Sequence, residues 1–228
     1  MSRLQINLRK QIYPSVNILF TRCKDIIRFY NDAVKTENVN MKTDDCETVI
    51  CHILDRSDLG DGTPRSSERK ASEYYRNMSG CIGEDENGKP ISEKTHFNIS
   101  HSGKYTVFVT SDEPIGVDIE MIDEKLSQNL DKALNEKEIR YMKLSDNRLT
   151  YLFRMWTCKE AYLKMIGLGL RIDPSRIIVD FDCNEVYNSE NESARYSVIS
   201  LDYQNYIISV CSPKTIGCIE LTHDTLNK

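Results

Sequence analysis

An α+β fold is predicted by two features of this chain: its strand and helix candidates are interspersed without regular alternation, and the clearest of each carry different periodicities. β-Branched and aromatic runs at 105–110, 115–120, 195–200, 206–211 and 216–221 predict strands, with a further one at 177–181. The longest helical pattern covers 148–166 and meets a natural stop at Gly167.

Read in order, residues 18–30 have helical spacing. Asp44-Asp45-Cys46-Glu47 predicts the start of a second helix running to Leu54, after which Gly60-Asp61-Gly62-Thr63-Pro64 breaks the pattern. Residues 65–76 are polar, with positive charge at Arg65, Arg69, Lys70 and Arg76. An acidic, turn-like stretch at 83–88 ends in Gly88-Lys89-Pro90. A short strand is expected over 96–100, followed by a polar turn at His101-Ser102-Gly103. Asp112-Glu113-Pro114 turns the chain into the strand at 115–120. Asn135, with Glu138 three residues on, predicts a helix N-cap and its reciprocal partner, leading through Tyr141 and Met142. There is no internal repeat and no low-complexity tract.

The chain has 228 residues, enough to bury a substantial core as one large domain or two small ones. Charged residues make up 29%, a profile of globular rather than disordered chains. The net charge of −5 argues against nonspecific nucleic-acid binding, which relies on a basic face. No apolar run approaches the roughly 20 residues needed to span a bilayer. The opening residues lack the apolar core of a signal peptide, so a cytoplasmic protein is expected. Eight cysteines are scattered, with no pair at the two-residue spacing of a zinc ribbon or redox motif, so they read as small buried hydrophobes.

The chemistry concentrates in two segments. In Gly116-Val117-Asp118-Ile119-Glu120, strand alternation points Asp118 and Glu120 to one side and Val117 and Ile119 to the other. In the long helix, Trp156, Glu160 and Lys164 recur every four residues on one face. Three carboxylates from two elements suit a hard divalent cation such as Mg2+ (or Mn2+), and a lysine one turn away suits an anionic ligand such as a pyrophosphate. The plain alternative is a solvated strand edge and an ordinary helical Glu160–Lys164 pair, worth only about 0.2–0.5 kcal/mol.

Four stretches in matching order and spacing resemble the Sfp-type 4′-phosphopantetheinyl transferases. They are Gly88-Lys89-Pro90, Phe97-Asn98-Ile99-Ser100-His101-Ser102-Gly103, Gly116-Val117-Asp118-Ile119-Glu120, and Trp156-Thr157-Cys158-Lys159-Glu160 with Lys164, trailed by Gly167-Leu168-Gly169-Leu170. The similarity covers residues 88–182. The resemblance implies two similar α+β subdomains related by a pseudo-twofold axis, here 1–112 and 113–228, in a monomer. It implies transfer of 4′-phosphopantetheine from coenzyme A to a serine of an apo acyl, peptidyl or aryl carrier protein, with release of 3′,5′-adenosine bisphosphate. This is the activity of a holo-acyl-carrier-protein synthase, and fatty-acid, nonribosomal-peptide and polyketide carriers all remain open.

By the same resemblance, Asp118, Glu120 and Glu160 hold the metal. Glu160, Lys164 and Asp118 are the catalytic candidates, with Glu160 or a water as general base. Lys89, Ser100, His101 and Lys164 are the coenzyme A candidates. Lys159 turns about 100° away from Glu160 along the helix and reads as structural. Trp156 reads as a core anchor, and His96 as structural. The family's grip on the 3′-phosphate would come from the first half, where no motif fixes which basic residues serve and where Pro64 interrupts the expected helix. Two other classes remain: a non-catalytic module that binds carrier proteins, and a metal-dependent nucleotide pyrophosphohydrolase.

Overall fold

One topology occurs twice in the computed structural model, which describes residues 46–59 and 63–226. In the first half, β1 (Glu47–Asp55) leads to helix α1 (Pro64–Ser79) and a small hairpin, β2 (Cys81–Glu84) with β3 (Pro90–Ser92). The chain then enters β4 (His96–Ser102) and β5 (Tyr105–Ser111), and the strands pair antiparallel in the order β1–β5–β4.

The second half opens with β6 (Gly116–Met121) and the short helices α2 (Glu124–Ser127) and α3 (Glu136–Leu144). The long helix α4 (Arg148–Ile166), the hairpin β7 (Ile177–Asp180) with β8 (Glu185–Asn188), then β9 (Tyr196–Tyr203) and β10 (Tyr206–Ser212) follow. Its strands pair in the matching order β6–β10–β9, and β8 and β7 extend the far edge. The fold is therefore α+β with two similarly wound halves. The final strand, β11 (Ile216–Asp224), returns to lie parallel to β1 at the edge of the first sheet.

The two sheets face each other across a core of alternating inward residues: Val49, Cys51 and Ile53 from β1, Val107 and Val109 from β5, Val117 and Ile119 from β6, and Ile208 and Val210 from β10. Helix α4 covers the outer face of the second sheet through Cys158, Ala161, Leu163 and Met165. Helix α1 covers the first through Ala71 and Tyr75, the Tyr75 ring stacking on Phe108 at 4.5 Å.

Three sequence expectations change here. Residues 47–54 form a strand, not a helix: Val49, Cys51 and Ile53 are buried at every second position, and β11 and β5 supply the ladder on either side. Pro64 opens helix α1 instead of interrupting it. Thr63 accepts the N-terminal hydrogen bond from the Ser66 amide, and a proline at the first helical position has no amide to leave unpaired. His101 and Ser102 belong to β4, with the turn falling after them at Gly103, whose φ of 52° is left-handed. The helix expected over 18–30 lies outside the described residues.

Where sequence periodicity was strong, element bounds follow it. Helix α4 spans Arg148–Ile166 and ends at Gly167 in the left-handed conformation. Asn135 and Glu138 form the reciprocal cap, each side chain bonded to the other's backbone amide.

Candidate active site

The site begins with a glycine that lets a helix touch a strand. At Gly116 a β-carbon would stand 2.0 Å from the Ala161 carbonyl oxygen and 2.6 Å from the Met165 amide nitrogen, so α4 lies directly on the β6 backbone. That approach sets Glu160 and Lys164 beside the outward side chains of β6. Val117 and Ile119 are fully buried in the core between the sheets, and Asp118 and Glu120 take the opposite face.

Among the described residues the other edge of β6 has no strand partner, and it is held by side chains of β4. Asn98 Oδ1 accepts from the Val117 amide at 2.9 Å, Ser100 Oγ from the Ile119 amide at 3.4 Å, and Ser102 Oγ from the Met121 amide at 2.9 Å. The same two hydroxyls donate to the carboxylates. Ser100 Oγ reaches Asp118 Oδ1 at 2.8 Å, and Ser102 Oγ reaches Glu120 Oε2 at 2.8 Å. Lys164 Nζ completes the group, 2.5 Å from Asp118 Oδ1 and 2.8 Å from Ser100 Oγ. The ion pair of Lys164 is thus with a strand on another layer, not with Glu160 one turn back.

Negative charge is concentrated and only partly compensated. Burial, reinforced by the Asp118 carboxylate, pushes both Glu120 and Glu160 up to about 7, against the partial relief given by Lys164. Asp118 Oδ2 and Glu160 Oε1 are buried without a hydrogen-bond partner among the described residues. Orphaned buried carboxylate oxygens are costly unless something satisfies them, and an all-oxygen donor set fits a hard divalent cation. As placed, no three His, Cys, Asp or Glu side chains among the described residues converge on a common metal position.

Strand alternation sends Phe97, Ile99 and His101 to the α1 side of β4. His101 does not join the carboxylates. Its Nε2 lies 2.9 Å from Ser72 Oγ and its Nδ1 2.8 Å from Thr106 Oγ1. Burial first, then the nearby Arg56 guanidinium, depress it to about 4, so the ring is neutral at pH 7. Lys89 reaches across to the long helix: its ammonium donates to the Met165 carbonyl at 2.6 Å, capping the C-terminal end of α4 next to Gly167, and burial lowers its pKa.

Trp156 departs from the core-anchor expectation. It is half-buried and stands outside the three apolar clusters, on the helix face it shares with Glu160 and Lys164. Lys159 is fully buried, as its angular offset suggested. Its ammonium donates to Glu138 Oε2 at 2.6 Å and to the carbonyls of Ala133 at 2.7 Å and Pro174 at 3.1 Å. His96 is exposed.

The structure also orders the first-half cations that sequence reading left unassigned. Arg65, Arg69, Ser72 and Arg76 recur at spacings of four, three and four along α1, and so share one face. The Ser72–His101 contact aims that face toward the β4 strand that carries Ser100. Arg56 is buried beneath the start of α1, donating to the carbonyls of Gly103 and Pro64 and pairing with Glu68 at 3.2 Å. The four-three-four spacing was present in the sequence, but without a helix starting at Pro64 it had no meaning.

Residues 114–211 match the family model of the 4′-phosphopantetheinyl transferase superfamily. The 4′-phosphopantetheinyl transferase gsp of Aneurinibacillus migulanus is 31% identical over 133 residues, covering 56% of this chain and 56% of that protein. The L-aminoadipate-semialdehyde dehydrogenase-phosphopantetheinyl transferase of Schizosaccharomyces pombe is 29% identical over 178 residues, covering 61% of this chain and 69% of that protein. Among solved structures, the holo-[acyl-carrier-protein] synthase of Helicobacter pylori in complex with coenzyme A is 19% identical, covering 43% of this chain and 97% of that one, with a TM-score of 0.37. The chain spans about half the length of the curated relatives it matches. The matched segment contains β6 and α4, the two elements that carry Asp118, Glu120, Glu160 and Lys164. By this match and these relatives, residues 114–211 carry the signature of the 4′-phosphopantetheinyl transferase superfamily, and the chain is similar to its Sfp-type members.

Proposed function

We propose that this protein transfers 4′-phosphopantetheine from coenzyme A to a serine of an apo carrier protein, releasing 3′,5′-adenosine bisphosphate. The observation that carries this reading is the set of three carboxylates under one lysine. Asp118, Glu120 and Glu160 are concentrated on one face; among the described residues two of their oxygens are buried without partners, and Lys164 pairs with Asp118 beside them.

Asp118, Glu120 and Glu160 would hold Mg2+ (or Mn2+), which when bound neutralises charge on a pyrophosphate. The rest falls to the chain's own side chains. Lys164 is about a quarter exposed at its side chain, so its ammonium can contact a phosphate oxygen as a point charge while retaining Asp118. The carrier serine oxygen attacks the phosphorus bonded to pantetheine, the bridging P–O bond breaks, and adenosine bisphosphate departs with that oxygen. The serine proton must be taken up, and Glu160 or a water is the candidate base, a carboxylate that also holds the cation being the weaker of the two. We assign the Arg65–Arg69–Arg76 face of α1 to the phosphates at the adenosine end, with His101 and Ser100 between that face and the carboxylates. Lys89 acts on this reading by fixing the end of α4, not by touching coenzyme A. In this division, 1–112 grips coenzyme A and 113–228 carries the metal site and the carrier contact. We propose a cytoplasmic monomer. Among the described residues no helix is long and apolar enough to cross a membrane.

The test is release of adenosine bisphosphate from coenzyme A, followed by chromatography, with and without apo carrier proteins of the acyl, peptidyl and aryl classes. Release only in the presence of a carrier supports transfer. Release without a carrier would make the protein a pyrophosphohydrolase, and coenzyme A or carrier binding with no release would make it a binding module.

A further inference from the structure

We infer that Ser102 is a positioning residue for Glu120: its hydroxyl fixes the carboxylate that the metal requires while also closing the β6 edge. This inference rests on the metal-site reading above. Ser102 is buried, its Oγ accepts the Met121 amide hydrogen bond at 2.9 Å, and the proton it donates goes to Glu120 Oε2 at 2.8 Å. One oxygen therefore ties the backbone of β6 and a reactive carboxylate to the same point on β4.

The arrangement is built by register. Positions 98, 100 and 102 of β4 face the β6 edge at successive two-residue steps, and each accepts an amide from 117, 119 and 121 in turn. Serine stands at the two steps where a carboxylate lies alongside, Asp118 and Glu120, and asparagine at the step where none does. A hydroxyl can accept from the amide and donate to the carboxylate together, whereas the Asn98 carbonyl oxygen only accepts. Position 102 matters more than 100 for orientation, because Asp118 has Lys164 as a second partner and Glu120 has no such cation at bonding distance among the described residues. Partners that orient a metal-binding side chain typically contribute 10–100-fold to affinity.

Asn98 provides the internal control, since it makes the same edge contact without touching a carboxylate. Mg2+ binding is measured by isothermal titration calorimetry, with and without coenzyme A, for the unaltered protein, Ser102→Ala, Ser102→Thr and Asn98→Ala, with thermal melts of each. Ser102→Ala is expected to weaken Mg2+ binding by roughly 10–100-fold. Ser102→Thr, which keeps the hydroxyl, restores most of the affinity. Asn98→Ala lowers the melting temperature while its Mg2+ affinity falls far less than that of Ser102→Ala, because Asn98 touches the β6 backbone and no carboxylate. In transfer assays the Ser102→Ala defect is overcome by raising Mg2+, which leaves kcat close to normal. Equal Mg2+ affinity in Ser102→Ala and the unaltered protein overturns the inference, as does an equal loss in Asn98→Ala, which would reduce Ser102 to an edge contact. If the unaltered protein binds no Mg2+ under either condition, the metal reading fails and this inference falls with it.

Discussion

Gly116 and Ala161 touch backbone to backbone: a β-carbon on Gly116 would lie 2.0 Å from the Ala161 carbonyl oxygen. The contact decides how far Glu160 and Lys164 stand from Asp118, because all three ride on the two elements that meet there. Gly116→Ala must push α4 off β6. Overpacking of this kind costs about 1–3 kcal/mol where the neighbours can shift, and the neighbours here are helix backbone, so the cost should lie at the upper end. Urea unfolding is expected to show that loss, with Mg2+ affinity reduced in the protein that remains folded.

Removing a carboxylate should separate chemistry from folding. Asp118→Ala deletes the partner of a partly exposed lysine, whose ammonium can turn to water, and frees Ser100 Oγ. We expect circular dichroism and the melting transition to be nearly retained and transfer to fall by at least about 100-fold, the scale of removing a preorganised electrostatic group. Glu160→Gln should likewise abolish transfer, and normal turnover in that variant would remove Glu160 from the mechanism.

The pH dependence has a definite sign. Glu120 and Glu160 stand near 7 in the fold against an ordinary value of 4.5. Between those values the folded state holds more protons than the unfolded one. The stability these groups contribute is therefore complete below about 4.5 and is lost as the pH rises through about 7. Without divalent metal, the melting temperature should fall between pH 5 and pH 8 more steeply than in the Glu120→Gln, Glu160→Gln double variant. Protons and metal compete for the same oxygens, so Mg2+ should raise the melting temperature more at pH 8 than at pH 5.

Lys159 and Glu138 form a buried pair whose members are fully or almost fully inaccessible. Breaking it with Lys159→Met leaves a buried carboxylate without its cation, at a cost of about 3–5 kcal/mol. Glu138 also closes the Asn135 cap, so Glu138→Gln, which can still accept that backbone amide, is expected to cost less than Lys159→Met. Chemical denaturation of the two variants checks the order.

The long helix, the Asn135 cap and the β6 alternation were legible because each is a local pattern: a 3.6-residue period, a three-residue reciprocal spacing, a two-residue period. β1 was not, although Val49, Cys51 and Ile53 alternate. The acidic run ahead of it imitates a helix start, and the strand is completed by β11, whose partner residues stand about 170 positions away in the chain (Thr48 opposite Cys218). Asp118, Glu120, Glu160 and Lys164 could be named from their motifs. That Lys164 turns to Asp118, that Lys89 caps α4, and that Ser102 serves Glu120 all depend on strand register and layer packing, which no spacing in the sequence encodes. The Arg65–Arg69–Arg76 face became readable once Pro64 was seen as a helix start.

The central claim is tested most directly by intact-protein mass spectrometry of apo carrier proteins incubated with this protein, coenzyme A and Mg2+, alongside reactions lacking metal or using Asp118→Ala. The account predicts a gain of one phosphopantetheine on a carrier from at least one class, absent from both controls. Unmodified carriers of every class, from a protein shown to be folded and to bind coenzyme A, would contradict it.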